Sequence, residues 1–534
     1  MNKEKLKIIG LSKNALVGYY QQNPNDLYAP THIFPNIDPP PDAHFQEYKQ
    51  WASTEELYKD HWDTPYMINQ FENQDHVHML KKENSDANEF GKLLNKDVDV
   101  EMFHNPDDVK NLGNIISKAK EEYNHVLVFI HRLHSYIVPY HMWKCVHDLD
   151  VNICIDNAFE AESYSMHRLI FWLHSLFGKL HFVKYIYAAH DIAYMEHGKL
   201  SRKELFRKEF GIDMVNVEFF MLHELQGNKI QPDNSERNNL IYSQFKPELF
   251  YKNNKPKKFL CLNNYMKEHR LYIIDFLDRN NLLDKGIVSA RFSLDKDKPF
   301  YNHGIHDFTS YSQTHGIIGG RFGSQFHRED HDRLKVTLPL VVEDDLIDNK
   351  YAVNPDMFTQ DDDVTKQFEF RDRWVREEWY ADTEFTIATE SSFDPDLIAQ
   401  PGIFTQYIPH HDKQIYYNND LPNDVGFLTE KTFKPLMYGH PFILVTHAGA
   451  LERLRRLGFE TYPDWFDEEY DDIGDSEKRM KAISRTILKA CTQELDINLI
   501  KDKLEYNRQH FFSIDNSISI FNNLFDELLK HDKY

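Results

Sequence analysis

His125-Val126-Leu127-Val128-Phe129-Ile130 is a short apolar run with no polar alternation. Such a run reads as a strand covered on both faces, as strands of a parallel sheet are. Val151-Asn152-Ile153-Cys154-Ile155-Asp156 is a second run of this kind, and residues 182–188 are a third. Residues 7–10 supply an earlier one near the start of the chain. Between the runs, residues 111–123 and 160–177 carry apolar side chains at helical spacing. A β-α-β-α alternation predicts a parallel sheet with helices on both faces. Residues from about 20 to 100 are rich in Pro, Asn, Asp and Gln and only weakly periodic, which predicts an irregular insertion with short helices.

The second half repeats the pattern after a break. Tyr251-Lys252-Asn253-Asn254-Lys255-Pro256-Lys257-Lys258 is polar and interrupts the periodicity. A new unit begins at once, with Phe259-Leu260-Cys261-Leu262 as a strand and Asn263-Asn264 as its turn. A helix is expected from about 267 to 283, with Ile273, Ile274, Phe276 and Leu277 inward and Gly286 capping its end. Ile287-Val288 starts the next strand. Later expectations are strands at 336–342 and 385–389, a helix at 364–380, and a helix at 450–457 stopped by Gly458. The segment after Asp464 is acidic and then helical. The fold class expected is therefore α/β, with two Rossmann-like parallel-sheet domains facing a cleft. Their bounds are 1–250 and 251–500, followed by a helical segment at 501–534. Ligands of such sheets lie beyond the C-terminal ends of the strands.

Composition narrows the class. A chain of 534 residues with 41% hydrophobic and 14% aromatic residues has ample material for two cores. No apolar run approaches the roughly 18 residues that a membrane span needs. The first ten residues have too short an apolar part for a signal peptide. Cys145, Cys154, Cys261 and Cys491 are scattered without CxxC spacing. That argues against structural zinc and a disulfide framework, and for a reducing, cytoplasmic setting. The net charge of −23 disfavours non-specific binding to nucleic acid or anionic membrane.

The most informative motif is Gly426-Phe427-Leu428-Thr429-Glu430-Lys431-Thr432-Phe433-Lys434-Pro435-Leu436-Met437-Tyr438-Gly439-His440-Pro441-Phe442-Ile443-Leu444-Val445. Thr429 is a good N-cap, so a helix is expected to begin at Glu430. The free N–H groups and the dipole of that terminus favour a phosphate, and Lys431 stands within reach of it. Glu430 suits hydrogen bonds from ribose or sugar hydroxyls. Pro435 predicts a kinked or short helix, and Gly439 with Pro441 its end. Residues 442–445 read as a buried strand. The same residues also suit an ordinary capped surface helix with a Glu–Lys pair.

Glu384-Phe385-Thr386-Ile387-Ala388-Thr389-Glu390-Ser391-Ser392-Phe393, then Gly426-Phe427-Leu428-Thr429-Glu430-Lys431, resembles the donor-binding half of GT-B glycosyltransferases. It is most similar to the fucosyltransferase and exostosin-like pattern. Residues 429–445 and 451–459, Phe259-Leu260-Cys261-Leu262-Asn263-Asn264, His269-Arg270 and Gly286-Ile287-Val288-Ser289 also resemble uncharacterised glycosyltransferase-like proteins of bacteriophages and large viruses. The resemblance covers roughly residues 258–459. It implies an enzyme that moves a sugar from a nucleotide-sugar co-substrate to an acceptor hydroxyl, with no cofactor and no metal. The acceptor is a glycan, a lipid-linked sugar, a protein or a modified DNA base, and the setting would be a host cytoplasm if the source is viral. It further implies that Arg270 and Lys431 bind the diphosphate, that Glu430 binds hydroxyls, and that Asn263, Glu390 and Thr429 line the donor site. Glu390-Ser391 replaces the usual Glu-Asn, so donor identity does not carry over.

Glycosyl transfer also needs a neutralised leaving group and a base on the acceptor side. Asp156 and Glu160, at a strand-to-helix turn, are the base candidates, and both also suit helix capping. His190-Asp191 is a second candidate pair. Glu343-Asp344-Asp345 and Asp361-Asp362-Asp363 invite a Mg²⁺ reading, but solvated acidic loops are the plainer account. Gly319-Gly320-Arg321-Phe322-Gly323 matches no phosphate-binding fingerprint and reads as a flexible loop. A non-catalytic nucleotide- or sugar-binding protein, or an interaction protein, is the alternative on the same fold.

Overall fold

The computed structural model describes residues 3–23, 25–27, 93–131, 135, 137–158, 164–191, 202–218, 221–222, 247–263, 268–290, 317–318, 326–327, 377–391, 393 and 425–530. Glu160, the acidic runs at 343–345 and 361–363, the Gly-rich run at 319–323 and the strand expected at 336–342 lie outside them. So does most of the insertion expected at 20–100 and of the helix expected at 364–380. The chain forms two units. One comprises residues 1–235, 395–427 and 513–534, the other residues 236–394 and 428–512.

The first unit holds a six-stranded, wholly parallel sheet. Its strands are β1 (Glu4–Leu11), β2 (Lys96–Phe103), β3 (His125–His131), β4 (Asn152–Asn157), β5 (Val183–Tyr187) and, after the short β6 (Ala189–Asp191), β7 (Asp213–Asn216). The order is β2-β1-β3-β4-β5-β7, so the winding reverses between β1 and β3. Every residue of β4 is buried, which requires cover on both faces and accounts for the apolar Ile153-Cys154-Ile155 at its centre. β2 escaped the sequence reading because it is an edge strand. Its Lys-Asp-Val-Asp-Val-Glu stretch alternates, and Asp99 and Glu101 pair with Lys7 of β1 at 2.8 and 2.7 Å.

Helices α1 (Lys13–Gln22), α2 (Leu112–Glu122), α3 (Tyr140–Asp148), α4 (Tyr164–Phe177) and α5 (Arg202–Phe210) occupy the connections of this sheet. Its last helix, α11 (Ile514–Leu529), comes from the far end of the chain. The N-terminal edge of the sheet is closed by the end of that helix. Asn152 Nδ2 donates to the Leu528 carbonyl at 3.1 Å, and the buried Lys184 donates to the Lys530 carbonyl at 3.0 Å and pairs with Asp213.

The second unit holds a four-stranded parallel sheet of β8 (Lys257–Asn263), β9 (Gly286–Ala290), β12 (Thr383–Thr389) and β14 (Phe442–Val445). The small pieces β10 (Ile317–Ile318) and β11 (Phe326–His327) pair with each other. Likewise β13 (Val425–Phe427) pairs antiparallel with β6 of the first unit, to which both belong. The order β14-β12-β8-β9 has the same logic as the first sheet. From β8 the chain winds one way and from β12 the other, so the switch point lies between their C-terminal ends. The longer described helices of this unit are α6 (Glu268–Arg279), α7 (Glu430–Met437), α8 (Ala450–Arg456), α9 (Ser476–Thr492) and α10 (Lys501–Phe511), and α11 then returns to the first unit. Thus α10 and α11, adjacent in sequence, serve different cores. None of the described helices is long and apolar enough to cross a membrane.

Gly286 does not cap α6. The helix stops at Arg279, and Asn281 takes the left-handed conformation at φ 54°. Gly286 opens β9 with an extended backbone, and a Cβ there would sit 2.3 Å from the Phe259 ring. The glycine is demanded by strand-to-strand packing. At α7 the expected signals act as read. Its N-cap is Thr429, Pro435 lies inside a helix of only 8 residues, and Gly439 ends it at φ 57°. His440 N–H bonds the Pro435 carbonyl at 2.8 Å and Gly439 N–H the Leu436 carbonyl at 3.1 Å, the two bonds of a Schellman stop. A Cβ at Gly439 would meet Tyr251 Oη at 2.4 Å. Gly439→Ala therefore combines left-handed strain with a clash, and should cost the second unit about 2 kcal/mol in urea titrations. A cost near zero would mean that Tyr251 yields freely.

Lys255, at the start of this unit, is 9% exposed and donates to the Tyr380 carbonyl at 3.1 Å. Burial, and then Lys252, lower its ammonium from 10.5 to about 7, against Glu384 and Asp382. The neighbouring buried His440 is itself pushed well below its ordinary value, by burial and then by Lys255. Above pH 7 the unfolded chain keeps the Lys255 proton and the folded chain sheds it, so this group makes stability rise with pH. Above pH 9 the buried Cys261 and Cys491 thiols, raised by burial to about 12, begin to oppose it. Between pH 7 and 9 wild type should gain about 2 kcal/mol relative to Lys255→Met, measured by urea titration at each pH. Parallel curves for the two proteins would refute the depressed lysine.

Candidate functional site

The expected donor residues of the second unit converge at the switch point between β8 and β12. Asn263 ends β8 and is 1% exposed. Its backbone N–H donates to Ser289 Oγ at 3.1 Å, its Nδ2 donates to the Ser289 carbonyl at 3.2 Å, and its Oδ1 accepts from Thr389 Oγ1 at 2.6 Å. One side chain thus ties the ends of β9, β8 and β12.

The first turn of α6 reaches the same place. His269 Nε2 bonds the Glu390 carbonyl at 2.9 Å, and the ring stacks on Phe393 at 5.7 Å. Arg270 Nη2 donates to the carbonyls of Glu390 at 2.8 Å and Thr389 at 3.3 Å. The guanidinium is buried. Burial weakens its hold on its proton, while the charges of Glu390 and Glu430 strengthen it.

Glu390, just past β12, is fully buried, and its carboxylate faces the start of α7. Oε1 accepts the Thr429 N–H at 2.9 Å and the Thr432 hydroxyl. Oε2 accepts the Thr429 hydroxyl at 2.6 Å and the Ser391 N–H at 3.1 Å. The anion held at this helix terminus is therefore the protein's own. A carboxylate with four donors, beside a helix N-terminus and an arginine, is a stable way to bury charge. Thr429 Oγ1 in turn accepts the Lys431 N–H at 3.4 Å.

Glu430 and Lys431 stand at the surface of this cluster, with side chains 27% and 21% exposed. They pair with each other, and Lys431 Nζ also lies 3.4 Å from both Ser391 Oγ and Thr429 Oγ1. Burial would raise the Glu430 carboxyl, but Lys431 and Lys434 hold it down at about 2. Arg270 and Lys431 balance Glu390 and Glu430, so these four residues are together neutral.

The structure thus brings Asn263, Arg270, Glu390, Thr429, Glu430 and Lys431 to one strand edge. Four of them are buried in bonds to the protein, and two reach solvent. The residues that hold the cluster include Thr389, Ser289, Thr432 and His269. Thr432 stands three positions after the N-cap but fits no capping box, since its hydroxyl donates to Glu390 rather than back to the N-cap.

Of the base candidates, Asp156 belongs to the first unit and is the penultimate residue of β4. It is fully buried, and its Oδ1 accepts the Ala158 N–H at 3.1 Å, a local turn that leads the chain out of the strand. His190 and Asp191 form part of β6, opposite Gly426 and Val425. Among the described residues no cluster of three or more His, Cys, Asp or Glu could hold a metal ion. No protein-family model, no curated protein and no solved structure matches the chain.

Proposed function

We propose that the second unit binds a nucleotide-sugar through Glu430 and Lys431, and that the protein is a glycosyltransferase of GT-B type acting on an acceptor hydroxyl. One observation carries the reading. A solvent-reaching Glu–Lys pair sits on the first turn of a helix, at the C-terminal switch point of a parallel sheet, over a closed neutral cluster. Ligands of open α/β sheets bind at that point. On binding, Lys431 exchanges Glu430 for the donor phosphate, and the released Glu430 accepts hydrogen bonds from ribose or sugar hydroxyls. The buried charge of Arg270 acts on the leaving diphosphate without touching it, as a preorganised positive site. The four free cysteines suit a cytoplasmic setting.

Lys431→Ala tests this. Its ion pair is partly exposed and contributes little to folding. Affinity for the best of a panel of UDP-, GDP- and CMP-sugars should fall about tenfold to hundredfold by calorimetry, with unchanged thermal unfolding. Unaltered affinity would assign the lysine to the surface, and no binding by wild type would sink the reading. A second reading, a non-catalytic nucleotide- or sugar-binding protein, is favoured by the protein bonds in which the Glu390 carboxylate is engaged. Turnover of a bound donor separates the two.

A further inference from the structure

Within the second unit, α6 and α9 lie side by side and run in the same sense. Each starts at the C-terminal edge of the sheet, where His269 of α6 bonds the Glu390 carbonyl and Arg479 of α9 bonds those of Thr446 and Phe393. The end of α9 reaches the opposite edge, where Lys258 of β8 donates to the Gln493 carbonyl at 3.2 Å. Halfway along, Ser484 Oγ of α9 lies 3.4 Å from Tyr272 Oη of α6. That contact sets the register of the pair, so Leu488 on α9 and Phe276 on α6 each stand one turn further along the same seam. Phe276, expected inward, is half-buried, and its ring stacks on that of Tyr272 at 6.4 Å. Leu488 is 36% exposed. The rest of the outer side of α9 is basic. Met480, Ile483 and Ile487 are buried, which turns Lys478, Lys481, Arg485 and Lys489 outward in a stripe about 16 Å long. Glu477, the one acid of α9, lies 3.9 Å from Lys481, with side chains 62% and 67% exposed, so most of the positive charge of the stripe stays in place. Among the described residues Lys478, Arg485 and Lys489 have no ion-pair partner. Such a stripe runs against the character of a chain with 62 basic and 85 acidic residues.

We propose that the seam between α6 and α9 docks a short acidic peptide that carries apolar residues at helical spacing. Tyr272, Phe276 and Leu488 form the strip that takes its apolar side chains, and Lys481 and Arg485 border that strip to receive its carboxylates. The charge of the whole chain selects a peptide over a larger polyanion. A nucleic acid or an anionic bilayer extends past the stripe and meets the repulsion of a chain whose net charge is −23. A peptide of about 12 residues covers the stripe alone, and charges more than about 8 Å away are screened in physiological salt. So small a surface makes the docking weak and transient. It uses neither Glu430 nor Lys431, and it stands whether or not the second unit binds a nucleotide-sugar.

The probe is a fluorescein-labelled glutamate peptide of about 12 residues with leucine at i, i+3, i+4 and i+7, titrated with the full-length chain and read by anisotropy. In about 50 mM salt wild type should bind it with a Kd of about 10–100 µM, weakening about fivefold or more at about 200 mM. Arg485→Glu should weaken binding about tenfold or more. Leu488→Ser should weaken it about threefold to tenfold with the salt dependence unchanged. Both side chains are exposed, so thermal unfolding should stay as in wild type, and Lys481→Glu replaces either variant if it does not fold. Lys118→Glu, at an exposed site on α2 of the first unit, should bind as wild type does. No binding by wild type at about 1 mM, equal losses in Lys118→Glu and Arg485→Glu, or equal affinity for a leucine-free glutamate peptide would each overturn the seam. Tighter binding of an oligothymidylate or of phosphatidylserine vesicles, lost in Arg485→Glu, would overturn it too and assign the stripe to a polyanion.

Discussion

Replacing Arg479 by leucine is expected to destabilise the second unit by about 4 kcal/mol. Arg479 lies on α9 and is 2% exposed. Its Nε donates to the Thr446 carbonyl at 3.1 Å, Nη1 to those of Ile473 at 2.9 Å and Gly474 at 3.0 Å, and Nη2 to that of Phe393 at 3.0 Å. Its guanidinium also lies 4.5 Å over the Phe393 ring. One planar side chain thus joins the segment after β12, the segment after β14 and the approach to α9. Leucine fills part of the volume and leaves four carbonyls facing an apolar side chain. Each orphaned acceptor costs about 1–3 kcal/mol before relaxation, so a total near 4 allows for partial rescue by water. Lysine retains the charge but not the fork, and should recover less than half. Urea titration gives the magnitude. Hydrogen exchange should show the loss in residues 383–393 and 442–447. A loss below about 1 kcal/mol would mean that the carbonyls find other donors. The change bears on the site, because Phe393 also stacks on His269, which holds the Glu390 carbonyl.

Arg479 shows where sequence reading stops. Its helix is legible from apolar spacing, but nothing local says that a basic residue there points inward to the Thr446 and Phe393 carbonyls, 33 and 86 positions away in the chain. The strands were legible for the opposite reason. A strand covered on both faces carries an apolar stretch, such as Val126–Ile130 of β3 and Ile153–Ile155 of β4, so the evidence is local. Thr429 and Gly439 were legible because caps and left-handed stops are local chemistry. Gly286 misled because glycine has two uses. The sequence offered a helix stop, whereas the Phe259 ring on the neighbouring strand was the cause. The candidate site was legible in position only. Strand ends and the Thr-Glu-Lys turn located Asn263, Arg270, Glu390 and Lys431 at one edge. The direction of each side chain depended on partners up to 126 residues distant, such as Thr389 for Asn263. In the same way the helix after Ser513 was visible, but its return to the first sheet was not.

Glu390→Gln is expected to cost about 3 kcal/mol and to fray α7, rather than to act on ligand affinity alone. The carboxylate is an acceptor at both oxygens, and all four of its bonds come from donors that face it. Glutamine keeps the shape but substitutes an NH₂ for one oxygen, so at least one N–H or hydroxyl then meets a donor. It also removes the negative charge that supports buried Arg270 and complements the positive end of α7. Aspartate keeps the charge but is one methylene short of Thr429 and Thr432, so it should rescue only in part. The measurements are urea stability and hydrogen exchange over residues 429–437, set beside the same data for Lys431→Ala. The buried carboxylate and the exposed ammonium should separate cleanly: the first variant loses stability and, through α7, donor binding, whereas the second loses donor binding alone. If Glu390→Gln instead folded with wild-type stability and lost only nucleotide-sugar affinity, its carboxylate would be a ligand-binding group. The start of α7 would then have to be capped by something other than Glu390.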